Sequence, residues 1–261
     1  MERRGVAMIN GTRARGWRAR FAALFGLATV LSPVMASAEP RAVVELFTSQ
    51  GCSSCPPADR LIGDLAKDPS IIALTFPIDY WDYLGWKDTL AQPKFTARQR
   101  GYAYKRGDRE VYTPQVVVNG VEHALGSDGA QITKTIVATR NRAGVMSVPV
   151  SLSLAAGQAT IAVPASVSGQ TAAAEVWICG VSREINVNVG RGENRGREIA
   201  YHNVVRRWLK VGDWTGRAGN WSVPLENITG DDIDSAVVYV QEGTREKPGL
   251  MLGAAQTALK Q

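Results

Sequence analysis

The sequence predicts an α/β domain followed by an all-β domain, which we place at residues 39–145 and 146–261. Near the start of the first domain, a β-rich apolar run leads into a turn with two cysteines and then into apolar residues at helical spacing. A second buried strand pattern at 71–78 completes a parallel βαβ unit. From about Met146, short alternating runs separated by Gly, Asn and Asp clusters are typical of a β-sandwich.

Residues 1–38 have the features of a secretory signal peptide. Six arginines and one glutamate precede or flank an apolar run from Phe21 to Leu31, and Ala36-Ser37-Ala38 forms an A-x-A cleavage site. The apolar run is too short to span a bilayer, so we expect cleavage and no membrane span in the mature protein. A periplasmic or secreted location follows, and disulfides persist in such compartments.

The net charge of +6 belongs largely to this leader. Without residues 1–38 the chain is close to neutral. Nucleic-acid binding and binding to an anionic membrane surface both require a basic patch in the folded part, so composition supports neither.

Two cysteines of the first domain, Cys52 and Cys55, form a Cys-x-x-Cys motif. We predict Cys52 at the first turn of a helix, where unpaired backbone N–H groups and the helix dipole favour a thiolate. Cys55 then lies one turn further on the same face, where it can close a disulfide as the resolving partner. Pro56 and Pro57 are tolerated in a first turn. Strand, Cys-x-x-Cys and helix in this order form the redox arrangement of thioredoxin-like proteins.

The chain has three cysteines and no second Cys-x-x-Cys, which excludes a four-cysteine zinc site. We expect neither a metal nor another cofactor. Cys179 lies in an apolar strand pattern. The favoured interpretation is a buried, inert thiol, and the alternative is a resolving thiol for Cys52.

Two further segments are predicted near the cysteines. Four aromatic residues at 80–86 follow the second strand, and they either pack beneath the next helix or, with Trp81, form a wall for a substrate peptide. Thr113-Pro114 begins a β-branched strand that ends at Asn119-Gly120, a dipeptide favoured in type I′ hairpins. Pro114 suits the cis-proline loop of thioredoxin-like folds, with Thr113 at the substrate, although a trans proline at an edge strand is the alternative.

A last helix is predicted from Asp128, which can form a capping pair with Gln131, to about Arg140. The first domain then has the complete thioredoxin-type order of elements. Its blocks at 43–59 and 79–88, with Tyr112-Thr113-Pro114-Gln115, resemble a secreted, thioredoxin-like bacterial family that carries a domain-of-unknown-function label. ELFTSQGCSSCPPAD belongs to the first block, and the resemblance extends to the segments at 192–197 and 203–206.

The similarity to thioredoxins implies Cys52 as the attacking thiolate, Cys55 as the resolving thiol and Pro114 as the cis-proline. Glu45 resembles the buried acid on the strand before the motif, although this chain has one more residue between that acid and the first cysteine. The dipeptide Ser53-Ser54 replaces Gly-Pro, so the redox potential of better-known relatives cannot be transferred to this chain.

Three functions from different classes fit these residues. The first is thiol–disulfide exchange with protein thiols or disulfides and an unidentified redox partner. The second is a copper-binding chaperone in which both thiolates and His123 hold Cu(I), although the spacing fits no copper motif. The third is a non-catalytic binding module whose disulfide is structural. We interpret the basic, Gly-rich stretch at 191–197 as a solvated hairpin loop.

Overall fold

The computed structural model describes residues 40–167 and 173–259, and the predicted signal peptide lies outside the described residues. Within them the protein is a mixed α/β structure dominated by strands, with a large mixed sheet and three α-helices. The elements are β1 (Ala42–Thr48), α1 (Pro56–Leu65), β2 (Ile71–Pro77), α2 (Pro93–Arg106), β3 (Gln115–Val118), β4 (Glu122–Leu125), α3 (Gly129–Arg140), β5 (Ser151–Ala155), β6 (Gln158–Val163), β7 (Ala174–Asn188), β8 (Glu198–Trp214), β9 (Gly219–Pro224), β10 (Ser235–Thr244) and β11 (Lys247–Ala258).

The large sheet has eight strands in the order β11-β10-β7-β8-β2-β1-β3-β4, and β5-β6-β9 form a separate three-stranded sheet. Strands β1 and β2 are parallel, with Ala42 opposite Ile71, so the predicted βαβ unit is confirmed. Strand β8 joins β2 through the pair Thr75 and Val204. Four strands that follow residue 146 therefore extend the sheet that begins in the first half of the chain.

The core is arranged in layers around the large sheet. Helix α2 packs on one face, where Phe76 and Phe95 meet edge to face with ring centroids 5.1 Å apart. Helices α1 and α3 pack on the other face of β1 and β3. The three-stranded sheet packs against β7, β10 and β11 on the face of the large sheet opposite to α2. Because successive side chains of a strand point to opposite faces, β1 carries apolar residues for both layers.

Two local predictions, one at a hairpin turn and one at the start of a helix, are confirmed. Asn119 and Gly120 both have positive φ, 52° and 70°, as a type I′ turn requires. Helix α3 begins after Asp128, whose side chain accepts a hydrogen bond from the Gln131 backbone N–H at 2.9 Å. The Gln131 side chain does not complete the reciprocal pair and instead accepts a bond from the Leu125 N–H at 3.2 Å.

Strands β7 and β8 are longer than the sequence pattern predicted and form a hairpin whose outer part, residues 182–204, packs over α1. A Cβ placed on Gly63 of α1 would lie 2.4 Å from the His202 ring, so only glycine allows this approach. Tyr201 and Val204 of the same strand lie in an apolar cluster with Leu90. This packing brings the turn of the hairpin to the cysteine-containing loop.

Candidate functional site

The cysteine-containing loop connects β1 to α1 and holds a disulfide between Cys52 and Cys55, whose Cα atoms are 5.4 Å apart. The predicted position of Cys52 in the first helical turn is wrong, because α1 begins at Pro56 with Cys55 as its N-cap. The Cys52 N–H donates to Ser49 O, and the Cys55 N–H donates to Cys52 O. Since Pro56 and Pro57 carry no N–H, the first two helical positions offer a Cys52 thiolate no hydrogen bond.

The peptide bond between Thr113 and Pro114 is cis. A Cβ placed on Gly126 would lie 2.9 Å from Pro114 Cβ and 3.2 Å from Ala58 Cβ, so the proline loop lies beside the first turn of α1. The Thr113 hydroxyl accepts a hydrogen bond of 2.7 Å from the Trp81 indole N–H.

Trp81 also lies against the loop that carries the cysteines. A Cβ placed on Gly51 would be 3.0 Å from Trp81 Cβ. The ring of Trp81 stacks on Tyr83, which is 77% exposed. The structure thus brings Trp81, Thr113 and Pro114 to the surroundings of the disulfide.

Glu45 lies elsewhere. It shares the α2 face of β1 with Phe47 and pairs with Arg98 Nε at 2.8 Å, while α1 covers the opposite face of the strand. The Tyr102 hydroxyl donates to the same carboxylate. The structure therefore binds Glu45 into a buried ion pair and does not bring it to the disulfide.

A different carboxyl group, Asp59, lies one turn below Cys55 on α1. It is buried, and its Oδ1 accepts a hydrogen bond of 2.7 Å from the Thr48 hydroxyl, while Oδ2 has no partner. Burial raises the pKa of Asp59 to about 8. Residues 55, 59 and 62 have the spacing of one helix face, and this face is buried. An acidic residue on a face that is otherwise apolar was therefore the sequence signal that could have identified Asp59.

Two further buried groups, Asp88 and Tyr201, lie close enough to Asp59 to interact with it electrostatically. Asp88 Oδ2 accepts from the Gln50 N–H at 2.8 Å, and burial raises the pKa of Asp88 to about 6. The hydroxyl of Tyr201 is buried without a partner, and its pKa is raised by burial and by the nearby Asp59. Buried acids whose pKa values lie near neutrality can exchange protons at physiological pH.

The turn between β7 and β8, residues 189–197, reaches the cysteine loop, and we refer to it as the hairpin tip. Asn194 is fully buried, and its Nδ2 donates to Gln50 O at 3.0 Å and to Cys52 O at 2.9 Å. Glu193 Oε2 accepts from the Ser53 N–H at 3.2 Å. The interpretation of this stretch as a solvated loop is therefore wrong for Asn194, although the other residues of 190–198 are exposed.

Cys179 is fully buried on β7, which confirms the interpretation as a buried thiol. Burial raises the pKa of Cys179 to about 12, which keeps it protonated at neutral pH. A thiol in this state is a poor nucleophile, so its environment offers no support for a resolving role.

His123 lies on β4 and hydrogen-bonds through Nδ1 with the Tyr112 hydroxyl at 2.9 Å. Its Nε2 lies 3.5 Å from Asp108. Among the described residues, no group of three or more His, Cys, Asp and Glu side chains is placed to hold a metal ion. The structure thus does not bring His123 together with the two cysteines.

No helix within 40–167 and 173–259 is long and apolar enough to cross a membrane.

Among curated proteins, none matches the chain. The crystal structure of protein AGR_C_4864 from Agrobacterium tumefaciens is 32% identical, with a TM-score of 0.74 over 85% of this chain and 95% of that one. HBP35 of Porphyromonas gingivalis is similar in fold alone, at 14% identity and a TM-score of 0.56, over 85% of this chain and 76% of that one. A family model matches residues 43–241, and the chain belongs to this family, which is described as "Protein of unknown function (DUF1223)".

Proposed function

We propose that this protein is an exported, thioredoxin-like thiol–disulfide oxidoreductase that acts on protein substrates through Cys52 and Cys55. The observation that carries the proposal is the disulfide at the start of α1 beside the cis proline at 114. Trp81 donates a hydrogen bond to Thr113 and lies against the loop that carries the cysteines, and these two contacts support the hypothesis of an aromatic wall for a substrate peptide.

In the proposed reaction, a substrate thiolate attacks Cys52 Sγ and the disulfide bond breaks, with its electron pair leaving on Cys55. A second substrate thiolate then attacks the mixed disulfide and releases Cys52. Two electrons and two protons pass from the substrate dithiol to the protein, and the substrate acquires a disulfide. In the reverse direction, the Cys52 thiolate attacks a substrate disulfide, and Cys55 releases the product.

Asp59 fits the proton transfer that accompanies this reaction. Cys55 must gain a proton when it leaves as a thiol and lose one when it attacks. Asp59 lies four residues further along the same helix, on the same face, with one unpartnered carboxyl oxygen and a pKa of about 8. A group that titrates near the working pH can both donate and accept a proton. We therefore assign Asp59 as the proton carrier for Cys55, in place of Glu45.

Export to the periplasm or the medium is part of the proposal, because a reducing cytosol would keep both cysteines as free thiols. The partners are then protein thiols or disulfides and a further redox protein that resets the pair. The near-neutral chain beyond residue 38 supports no nucleic-acid partner.

Trapping of mixed disulfides tests the proposal. In Cys55→Ser, Cys52 can still attack a substrate disulfide but nothing releases the product, so we expect reductant-sensitive adducts with other exported proteins. Cys52→Ser should give none, and Cys179→Ser serves as the matched control that leaves the exchange pair intact. The purified oxidised protein should also oxidise a dithiol peptide. Absence of both adducts and peptide oxidation contradicts the proposal.

One observation favours the binding module with a structural disulfide, since Cys52 is only 1% exposed. A disulfide that closes so short a loop contributes about 2 kcal/mol by chain entropy, so reduction of a structural pair should clearly lower the melting temperature. The reduction potential separates the two functions, because structural disulfides lie below about −300 mV and exchange catalysts between about −270 and −120 mV.

A further inference from the structure

The hairpin tip holds the backbone on both sides of Gly51. Asn194 contributes both N–H groups of its side-chain amide, one to Gln50 O and one to Cys52 O, and its Oδ1 accepts a hydrogen bond of 3.2 Å from Arg197. All the polar atoms of this buried amide thus have partners, and both of its donors are bonded to the cysteine loop.

Trp86 supports the other side of the tip. A Cβ placed on Gly190 would lie 2.9 Å from Trp86 Cζ3, and one placed on Gly192 would lie 3.6 Å from Trp86 Cβ. The indole N–H of Trp86 donates to Gln50 Oε1 at 2.8 Å. The tip therefore rests on a side chain that is itself bonded to the residue two positions before Cys52.

These contacts bear on how a thiol reaches the disulfide. An attacking sulfur needs open access to Cys52 Sγ, yet Cys52 is buried while the neighbouring Ser53 and Ser54 are exposed. The tip is the segment that contacts the backbone on both sides of Cys52. Most of its side chains are exposed, so it can open locally at a much smaller free-energy cost than unfolding of the core strands.

We propose that the hairpin tip is a gate over Cys52 and that Asn194 is the positioning residue that keeps it closed. Closed, the tip protects the oxidised pair from small thiols. A protein substrate opens it by offering its own backbone N–H groups to the carbonyls of Gln50 and Cys52. The gate rests on the proposed exchange function for its biological meaning, but its effect on access to the disulfide is measurable without any substrate.

The test is the rate at which dithiothreitol reduces the purified oxidised protein, followed by acid quenching, alkylation and mass measurement. One dithiothreitol sulfur attacks Cys52, Cys55 leaves with the electron pair and takes a proton, and the second sulfur displaces Cys52 to give the cyclic disulfide. Asn194→Asp preserves the volume of the side chain but replaces the Nδ2 amide, which donates both hydrogen bonds, by a carboxylate oxygen that faces the two carbonyls. We expect reduction of this variant to be about 10-fold faster or more.

Arg195→Ala is the matched control, because this exposed side chain lies on the same tip and, among the described residues, makes no hydrogen bond to the cysteine loop. Its rate should equal that of the wild type. Glu193→Gln, which weakens only the bond to the Ser53 N–H, should give a smaller increase and carries the test if Asn194→Asp does not fold. The melting temperature of each oxidised variant separates gating from general loss of stability.

Equal reduction rates in the wild type, the folded Asn194→Asp and Glu193→Gln would overturn the gate. Faster reduction, without any trapped substrate in Cys55→Ser and without oxidation of a dithiol peptide, would support the gate and contradict the exchange function. Trapped substrates with unchanged reduction rates would support the exchange function and contradict the gate.

Discussion

Replacing Arg98 with alanine is expected to lower the free energy of unfolding by about 3–5 kcal/mol, because the change leaves a buried carboxylate without its counter-ion. Arg98 and Glu45 both have side chains that are almost completely buried. The guanidinium also donates to Tyr102 and to Gln241 and lies over the ring of Trp208 at 5.2 Å. Chemical denaturation followed by tryptophan fluorescence measures the loss.

Two controls identify the cause. Lys67→Ala breaks an exposed pair with Asp64, so the stability of this variant should stay close to that of the wild type. Adding Glu45→Gln to Arg98→Met should recover much of the loss, since no unpaired charge then remains in the core. A double variant as unstable as Arg98→Ala would show that packing around the guanidinium, rather than its charge, is what the core requires.

Replacing Asp59 with asparagine is expected to have little effect on stability at pH 4 and to stabilise the protein increasingly as the pH rises from about 4 to about 8. The pKa of Asp59 is raised from 3.8 to about 8, so between these values the unfolded state binds fewer protons than the folded state. Stability therefore falls with rising pH, by up to about 1.4 kcal/mol per unit for this group. Asparagine does not titrate and removes this loss.

Melting temperatures of both proteins from pH 4 to pH 8.5 test this expectation, and the difference between them should grow with pH. Asp88 titrates in the same window but is present in both proteins. Asp64→Asn, on the same helix, is the control, because Asp64 is exposed and its pKa is lowered by the Lys67 side chain. A constant difference across the range would contradict the raised pKa of Asp59.

The same variant tests the assignment of Asp59 as proton carrier. If Asp59 moves the proton of Cys55, Asp59→Asn should slow oxidation of a dithiol peptide at least about 10-fold while stability at neutral pH rises. A gain in stability together with a loss of rate is not expected from a residue that only fills space. An unchanged rate would leave Asp59 without a part in the reaction.

Local order along the first half of the chain followed from sequence pattern alone. Helical spacing after two prolines predicted α1, the Asn119-Gly120 dipeptide predicted its turn, and Asp128 predicted the start of α3. These features depend on residues close in sequence, where dihedral preferences and caps act directly. The buried state of Cys179 was predictable in the same way, from the apolar strand around it.

The pairing of distant segments was decided only by tertiary structure. The strand β11 contains Pro248, Gly249 and Gly253, so its alternation is weak, yet β10 pairs with it along its length. Glu45 and Asp59 are both buried acids near the cysteines in sequence. Their surroundings differ because β1 directs Glu45 to the α2 face, whereas α1 places Asp59 beneath Cys55.

Sequence pattern was enough to predict the Cys-x-x-Cys pair, the proline at 114 and the helix that follows the cysteines. Tertiary structure alone decided that Asn194, 142 positions after Cys52, would hydrogen-bond to the carbonyl of that cysteine. A polar residue in a glycine-rich turn has no periodicity that reveals its partner, because its burial depends on how a long hairpin bends over α1. The gate that we propose over the disulfide rests on that contact between distant segments.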